Sequence, residues 1–100
     1  ADALRRTNED GGPAYQAAIE ALRVAVDALP LTTVEITHYN VGPSKVRGTV
    51  MMDGATLPVH VFTYYPDEIQ FTVAELMGMT LQDARTLRAM RDMAYLLEAA

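Results

Sequence analysis

The chain has no cysteine and no tryptophan, and its longest uninterrupted apolar stretches are only a few residues long. Without cysteine there are no disulfide bonds and no thiolate metal sites. Apolar stretches this short fall far below the roughly 18 residues that a membrane-spanning helix needs. Internal repeats and low-complexity segments are also missing. We therefore expect one soluble globular domain of 100 residues with a single modest core.

Positive charge is scarce, with eight Lys and Arg residues against thirteen Asp and Glu residues and a formal net charge of -5. This balance opposes the general attraction to phosphate that supplies most non-specific nucleic-acid affinity, although it permits a local basic patch. Seven of the eight basic residues are Arg, and alanine outnumbers isoleucine by fifteen to three. Such a bias is expected of a GC-rich coding sequence in a bacterium or its phages, and we expect a cytoplasmic protein.

Residues 1–12 are polar and lack an apolar period, which predicts a flexible N-terminal arm before a single domain at 13–100. Pro13 is a favourable first residue for a helix. From there apolar residues recur at helical spacing as far as Pro30, which predicts an amphipathic first helix.

Residues 33–64 alternate with a period of two and are rich in β-branched and aromatic residues, with turn residues at 42–44 and 53–54. This pattern predicts a three-stranded antiparallel sheet, and residues 69–71 offer a short fourth strand as an alternative. Asp53-Gly54 suits a two-residue type I′ turn, and we assign a three-residue loop at 42–44. The predicted register pairs Val50 with Leu57, Val46 with Val61, Ile36 with Val50, and Tyr39 with Arg47.

Strand alternation then divides the sheet into an aliphatic side, which helices must cover, and a second side that carries aromatic and basic residues. If both long helices pack on the aliphatic side, the second side is open to a partner. The alternative is that it is an ordinary outer face, or that the N-terminal arm covers it. The candidate partner-binding residues are Tyr39, Arg47, His60, Phe62 and Tyr64.

Two helix starts follow the sheet, because Thr72 precedes Glu75 by three residues and Thr80 precedes Asp83 by the same spacing. The second start opens a long C-terminal helix whose apolar stripe is predicted to face the core. The predicted fold is therefore a two-layer α+β domain, with an N-terminal helix, a three- or four-stranded antiparallel sheet, a short helix and a long C-terminal helix. The residues of the apolar stripe are Leu81, Ala84, Leu87, Met90, Ala94 and Leu97.

Residues 70–89 carry a small residue at Ala74, a glycine at the turn in Gly78, and apolar residues at inward-packing positions. This stretch resembles the helix-turn-helix of phage repressors. The resemblance implies that the helix from Leu81 is a recognition helix. It places Gln82 and Arg85 near base edges and Arg88 near phosphate. The inward-packing positions of the motif are Val73, Met77, Met79, Ala84 and Leu87.

Groups for catalysis or metal binding are few, since the only histidines are His38 and His60. The predicted register places them on opposite faces of the sheet, so they do not share a metal or form a catalytic pair. We expect no cofactor, no metal and no enzymatic activity.

The resulting hypothesis is a small acidic, non-enzymatic protein-protein interaction module. It would be an accessory protein of a phage or mobile element that inhibits or regulates a host factor by binding its surface. A nucleic-acid-binding host protein would suit an acidic competitor, and the same surface would equally suit a homodimer. The alternative is a DNA-binding regulator that acts through the helix-turn-helix.

Overall fold

A computed structural model of the chain describes residues 12–99. In chain order the elements are α1 (Pro13–Asp27), β1 (Thr33–Thr37), β2 (Ser44–Met52), β3 (Ala55–Tyr64), α2 (Val73–Leu76) and α3 (Leu81–Ala99). The strands form one antiparallel sheet in the order β1-β2-β3, and the predicted α+β fold is confirmed. No helix among these residues is long and apolar enough to cross a membrane. Of the predicted N-terminal arm, only Gly12 lies inside the described residues.

The β2–β3 hairpin turns at Asp53 and Gly54, whose φ angles of 52° and 79° are those of a type I′ turn. The turn sets Val50 opposite Leu57, as predicted. Farther along, the pairing shifts, because β3 contains a β-bulge opposite the Val46/Arg47 step. One residue of β3 is then unpaired, and every later residue of the strand changes face.

The connection between β1 and β2 is longer than predicted, since it spans residues 38–43 rather than 42–44. Ile36 therefore lies opposite Val46, and Glu35 takes the place opposite Arg47 that was predicted for Tyr39. The predicted register differs from the observed one by four residues. Because this number is even, the residues of β1 keep their predicted faces.

Ser44 explains why the loop does not extend to residue 44. It is the first residue of β2, it is 1% exposed, and its hydroxyl is 2.7 Å from Nδ1 of His38. This contact fixes the end of the hairpin at the core, and the chain reverses through Gly42, whose φ is +93°.

The core lies on one side of the sheet. At its centre three aromatic rings meet, with the Phe71 centroid 4.7 Å from that of Phe62 and 4.9 Å from that of Tyr64. Ile69 and Phe71 are buried, but they form no strand, so of the two predicted alternatives the described residues contain the three-stranded sheet. The buried apolar residues are Leu31, Val46, Val50, Val61, Phe62, Tyr64, Ile69, Phe71, Leu76, Leu81 and Ala84.

The long helix α3 buries side chains fully in the core only in its first turns, and Leu87 and Tyr95 pack partly against the core farther along. Leu81 and Ala84 are buried, whereas Met90 and Leu97 are 64% and 74% exposed, so the predicted inward stripe is wrong for the second half of the helix. There the packed side rotates to Arg91 and Tyr95, which line a groove with residues 68–70. The opposite side of that half is left exposed.

Candidate functional site: the uncovered face of the sheet

We call the face of the sheet opposite the core the uncovered face, because no other element within residues 12–99 packs on it. A row of ionisable side chains lies at its centre. Glu35, Arg47 and His60 occupy matched positions on β1, β2 and β3, so they lie side by side across the sheet. All three residues are exposed, and no ion pair joins Arg47 to a carboxylate within residues 12–99. Alternation along β2 produces this face, since even-numbered residues point into the core and odd-numbered residues point away.

A second basic residue, Lys45, lies two positions before Arg47 on the same face. Its Nζ is 5.7 Å from the centre of the Tyr39 ring, a cation–π contact at the end of β1. Tyr39 is 50% exposed and therefore offers its ring to a partner. The sequence interpretation missed Lys45, although its spacing from Arg47 was sufficient to place it on this face.

The far side of the row is a cluster of threonine hydroxyls. Oγ1 of Thr49 lies 2.7 Å from Oγ1 of Thr33 and 2.8 Å from Oγ1 of Thr32. Because these hydroxyls bond to each other across β1 and β2, they hold this part of the face in a fixed, polar arrangement. The centre of the uncovered face is therefore polar, with Arg47 and Lys45 as its positive charges and Glu35 as its negative one.

Two of the five predicted binding residues do not reach this face. Phe62 and Tyr64 are 6% and 1% exposed, so the prediction that they form part of an open surface is wrong. The physical reason is the bulge in β3, which pairs Val46 with Phe62 in place of Val61 and turns both aromatic residues into the core. The structure brings together only Tyr39, Arg47 and His60 of the predicted set.

The hydroxyl of Tyr64 is buried in the core near Ser44. This hydroxyl has no hydrogen-bond partner within residues 12–99 at ordinary distance. Burial raises the pKa of this phenol, and the nearby Ser44 hydroxyl opposes part of that increase. Tyr64 therefore remains neutral in the core.

Ser44 and His38 form the one contact in the described chain that looks like a nucleophile and a base. The Ser44 hydroxyl is at hydrogen-bond distance from the imidazole, but Ser44 is buried beneath the 38–43 connection. A substrate has no route to its oxygen, and no carboxylate orients the ring of His38 among the described hydrogen bonds. The contact is consistent with a structural role at the end of the hairpin. Within residues 12–99 no group of three or more acidic or histidine side chains is placed to hold a metal ion.

Two of the three residues predicted to contact DNA are engaged by β3. Arg85 donates from Nε to the Val61 carbonyl and from a terminal nitrogen to the His60 carbonyl, both at 3.0 Å. Arg88 donates from Nε to the Thr63 carbonyl at 2.7 Å. Gln82 is exposed and its side chain makes no described contact. The two guanidinium groups thus occupy acceptors along the outer edge of β3, an edge that would otherwise be open to another strand.

The region that resembles a helix-turn-helix has a tight turn at Gly78 and a short helix before it. Gly78 has a φ of +82°, as the turn requires, and Ala84 is buried. Val73 and Met77, which the motif places inward, are 41% and 47% exposed, and α2 has only four residues.

A clamp between α2 and α3 completes this end of the molecule. Thr72 and Glu75 form the predicted capping box, with the Thr72 amide 2.6 Å from the Glu75 carboxylate. Arg91 binds the other carboxylate oxygen of Glu75 and lies over the Phe71 ring at 4.7 Å. The hydrogen bond from Arg91 lowers the pKa of Glu75 below its usual value, helped by Thr72. The clamp fixes α3 against α2 and the aromatic core.

A groove of about 490 Å³ lies between α1, β3 and α3. Val26, Val59 and Leu81 line it, and the ion pair between Asp27 and Arg85, at 3.2 Å, lies at its wall. The main-chain carbonyl of His60 accepts a hydrogen bond from Arg85 beside this groove, whereas its side chain lies on the uncovered face.

No family model, curated protein or solved structure matches the chain. Function is therefore inferred from the surfaces just described. Of these, the uncovered face combines the exposed Arg47, the partly buried Lys45, the exposed Tyr39 ring and a hydrogen-bonded group of threonines on one sheet.

Proposed function

We propose that the protein is a small non-enzymatic protein-binding module that uses the uncovered face of its sheet to contact an acidic surface of a partner. The observation that carries this proposal is Arg47 at the centre of that face, which forms no ion pair within residues 12–99, with Lys45 and Tyr39 beside it. Arginine and tyrosine are enriched among the residues that dominate binding energy in protein interfaces.

The charge distribution supports an acidic partner. The chain as a whole carries a formal charge of -5, yet this face has two cationic side chains and one carboxylate. A local basic face on an acidic protein attracts an acidic surface and repels partners at its other sides, which favours one orientation of binding.

The contacts of the three arginines of α3 also support this face over the helix-turn-helix. Arg85, Arg88 and Arg91 each hold main-chain carbonyls, and two of them also bind carboxylates. Using them for phosphate would require these contacts to break. Arg47 needs no such rearrangement.

A charge reversal at Arg47 tests the proposal. Immobilised wild-type protein and Arg47→Glu would be used to capture partners from a lysate of the natural host, with quantitative mass spectrometry of what is retained. We expect a discrete partner to be retained by the wild type, to decrease with added salt, and to be lost with Arg47→Glu. Arg23→Glu is the matched control, because Arg23 is an exposed arginine on α1.

Equal capture by the wild type and Arg47→Glu would contradict the proposal. A shift of duplex DNA by wild-type protein at low salt, lost with Gln82→Ala in a folded variant, would favour the regulator alternative instead.

A further inference from the structure

The second half of α3 has an apolar stripe that nothing in the described chain covers. Met90 and Met93 are each 64% exposed, and Leu96 and Leu97 are 59% and 74% exposed. The stripe lies opposite the side of the helix that carries Arg91 and Tyr95. Burial of the packed side therefore leaves this stripe entirely in solvent.

The spacing of the stripe is that of a helix that pairs with another helix. Three of its members, Met90, Met93 and Leu97, continue a row that begins at Thr86. The intervals along this row are four, three and four residues, which is the a/d pattern of a coiled-coil seam. The flanking positions carry small or apolar residues, with Ala89 and Ala94 on its two sides. Small flanking residues allow two helices to approach closely.

The absence of charge on the stripe favours a second copy of the same chain as the partner. Charged residues beside a seam normally select one partner and reject others. Residues 86, 89, 90, 93, 94, 96 and 97 are all uncharged, so two copies meet without like-charge repulsion even though the chain is acidic.

The exposed area of the stripe is close to the area that a weak dimer needs. The four large side chains are 59% to 74% exposed, which leaves on the order of 500 Å² accessible on each copy, so full burial on both copies approaches the roughly 1,000 Å² of a specific interface. This area predicts a weak, concentration-dependent dimer.

We propose that α3 forms a homodimer by packing the stripe of Met90, Met93, Leu96 and Leu97 against the same stripe of a second copy. The dimer leaves both uncovered sheet faces available, so one assembly presents two copies of the basic face. The pairing depends on the helix stripe alone and does not require the function proposed above.

Sedimentation velocity over a concentration series tests the dimer. The wild type should approach twice the chain mass of 11.0 kDa as its concentration rises. Met93→Glu should remain at the monomer mass, with its association weakened on the order of 100-fold, because an unpaired carboxylate would be buried in the seam. Far-UV circular dichroism should be unchanged, since Met93 makes no core contact. Val24→Glu, at an exposed valine on α1, is the matched control and should dimerise like the wild type.

Cysteine cross-linking supplies an independent measurement, because the chain has no cysteine of its own. A mixture of Met90→Cys and Met93→Cys should form intermolecular disulfides on mild oxidation in either helix orientation, whereas Val24→Cys should not. A wild type that stays monomeric throughout, a Met93→Glu variant that dimerises normally, or a mixture with no cross-link beyond the Val24→Cys control would each overturn the proposal.

Discussion

Replacing Arg85 by methionine should destabilise the protein, because this side chain holds α3 to the edge of the sheet. Its guanidinium donates to the carbonyls of His60 and Val61 and contacts Asp27 on α1, so one residue joins three elements. Methionine keeps much of the aliphatic length and removes every one of these bonds.

The magnitude follows from the geometry. Hydrogen bonds from a charged donor contribute about 1.5 to 3 kcal/mol each when buried. The Arg85 side chain is 46% exposed, so water can replace part of each bond and the ion pair adds little. We expect a loss of about 1 to 2 kcal/mol in the free energy of unfolding. For a domain of this size that corresponds to a decrease of roughly 5 to 10 °C in Tm.

Urea denaturation and calorimetry of Arg85→Met measure this loss, and Arg23→Met is the control because Arg23 has no described hydrogen bond or ion pair. The control should remain within about 0.5 kcal/mol of the wild type. If the two variants were equally stable, Arg85 would not be held by β3, and its guanidinium would be available to contact DNA.

Two further predictions concern the sheet and the clamp. A Cβ at position 48 would lie 2.3 Å from the Thr33 carbonyl oxygen, so Gly48→Ala should lower the free energy of unfolding by about 2 to 4 kcal/mol in urea denaturation. A change below about 0.5 kcal/mol would show that β1 does not lie so close to β2. Because the pKa of Glu75 is lowered in the folded state, the stability that it supplies is complete above its unfolded value of 4.5 and is lost as the pH falls through the folded pKa. The difference in stability between the wild type and Glu75→Gln should therefore shrink as the pH falls from 4.5 through the lowered folded pKa. A difference that stays constant with pH would refute this role for the clamp.

Several features of the fold could be predicted from short stretches of sequence, because they depend on a few adjacent residues. Asp53-Gly54 adopts the left-handed conformations that the hairpin needs, and Thr72 with Glu75 closes its own capping box. Pro13 begins the first helix, because the amide of the first helical residue has no partner in the helix and proline lacks that amide hydrogen. Such signals involve neighbours along the chain, so no tertiary information is needed to interpret them.

The candidate site was predicted only in part, and the bulge in β3 is the main cause. Nothing in the residues around Val61 marks an extra residue, since valine is equally suited to a regular strand. The bulge turns Phe62 and Tyr64 toward Phe71, where three rings bury one another. The free energy gained by this packing depends on Phe71, which lies outside the strand.

The sequence by itself determined the class of fold, the second hairpin and the helix caps, because turn conformations and strand alternation are properties of short segments. Only the tertiary structure decided which aromatic residues reach solvent, which arginines are held by the edge of the sheet, and which side of α3 stays uncovered. Those outcomes depend on which side chains from distant parts of the chain pack together in one small core. The free energy of that packing cannot be inferred from any single segment.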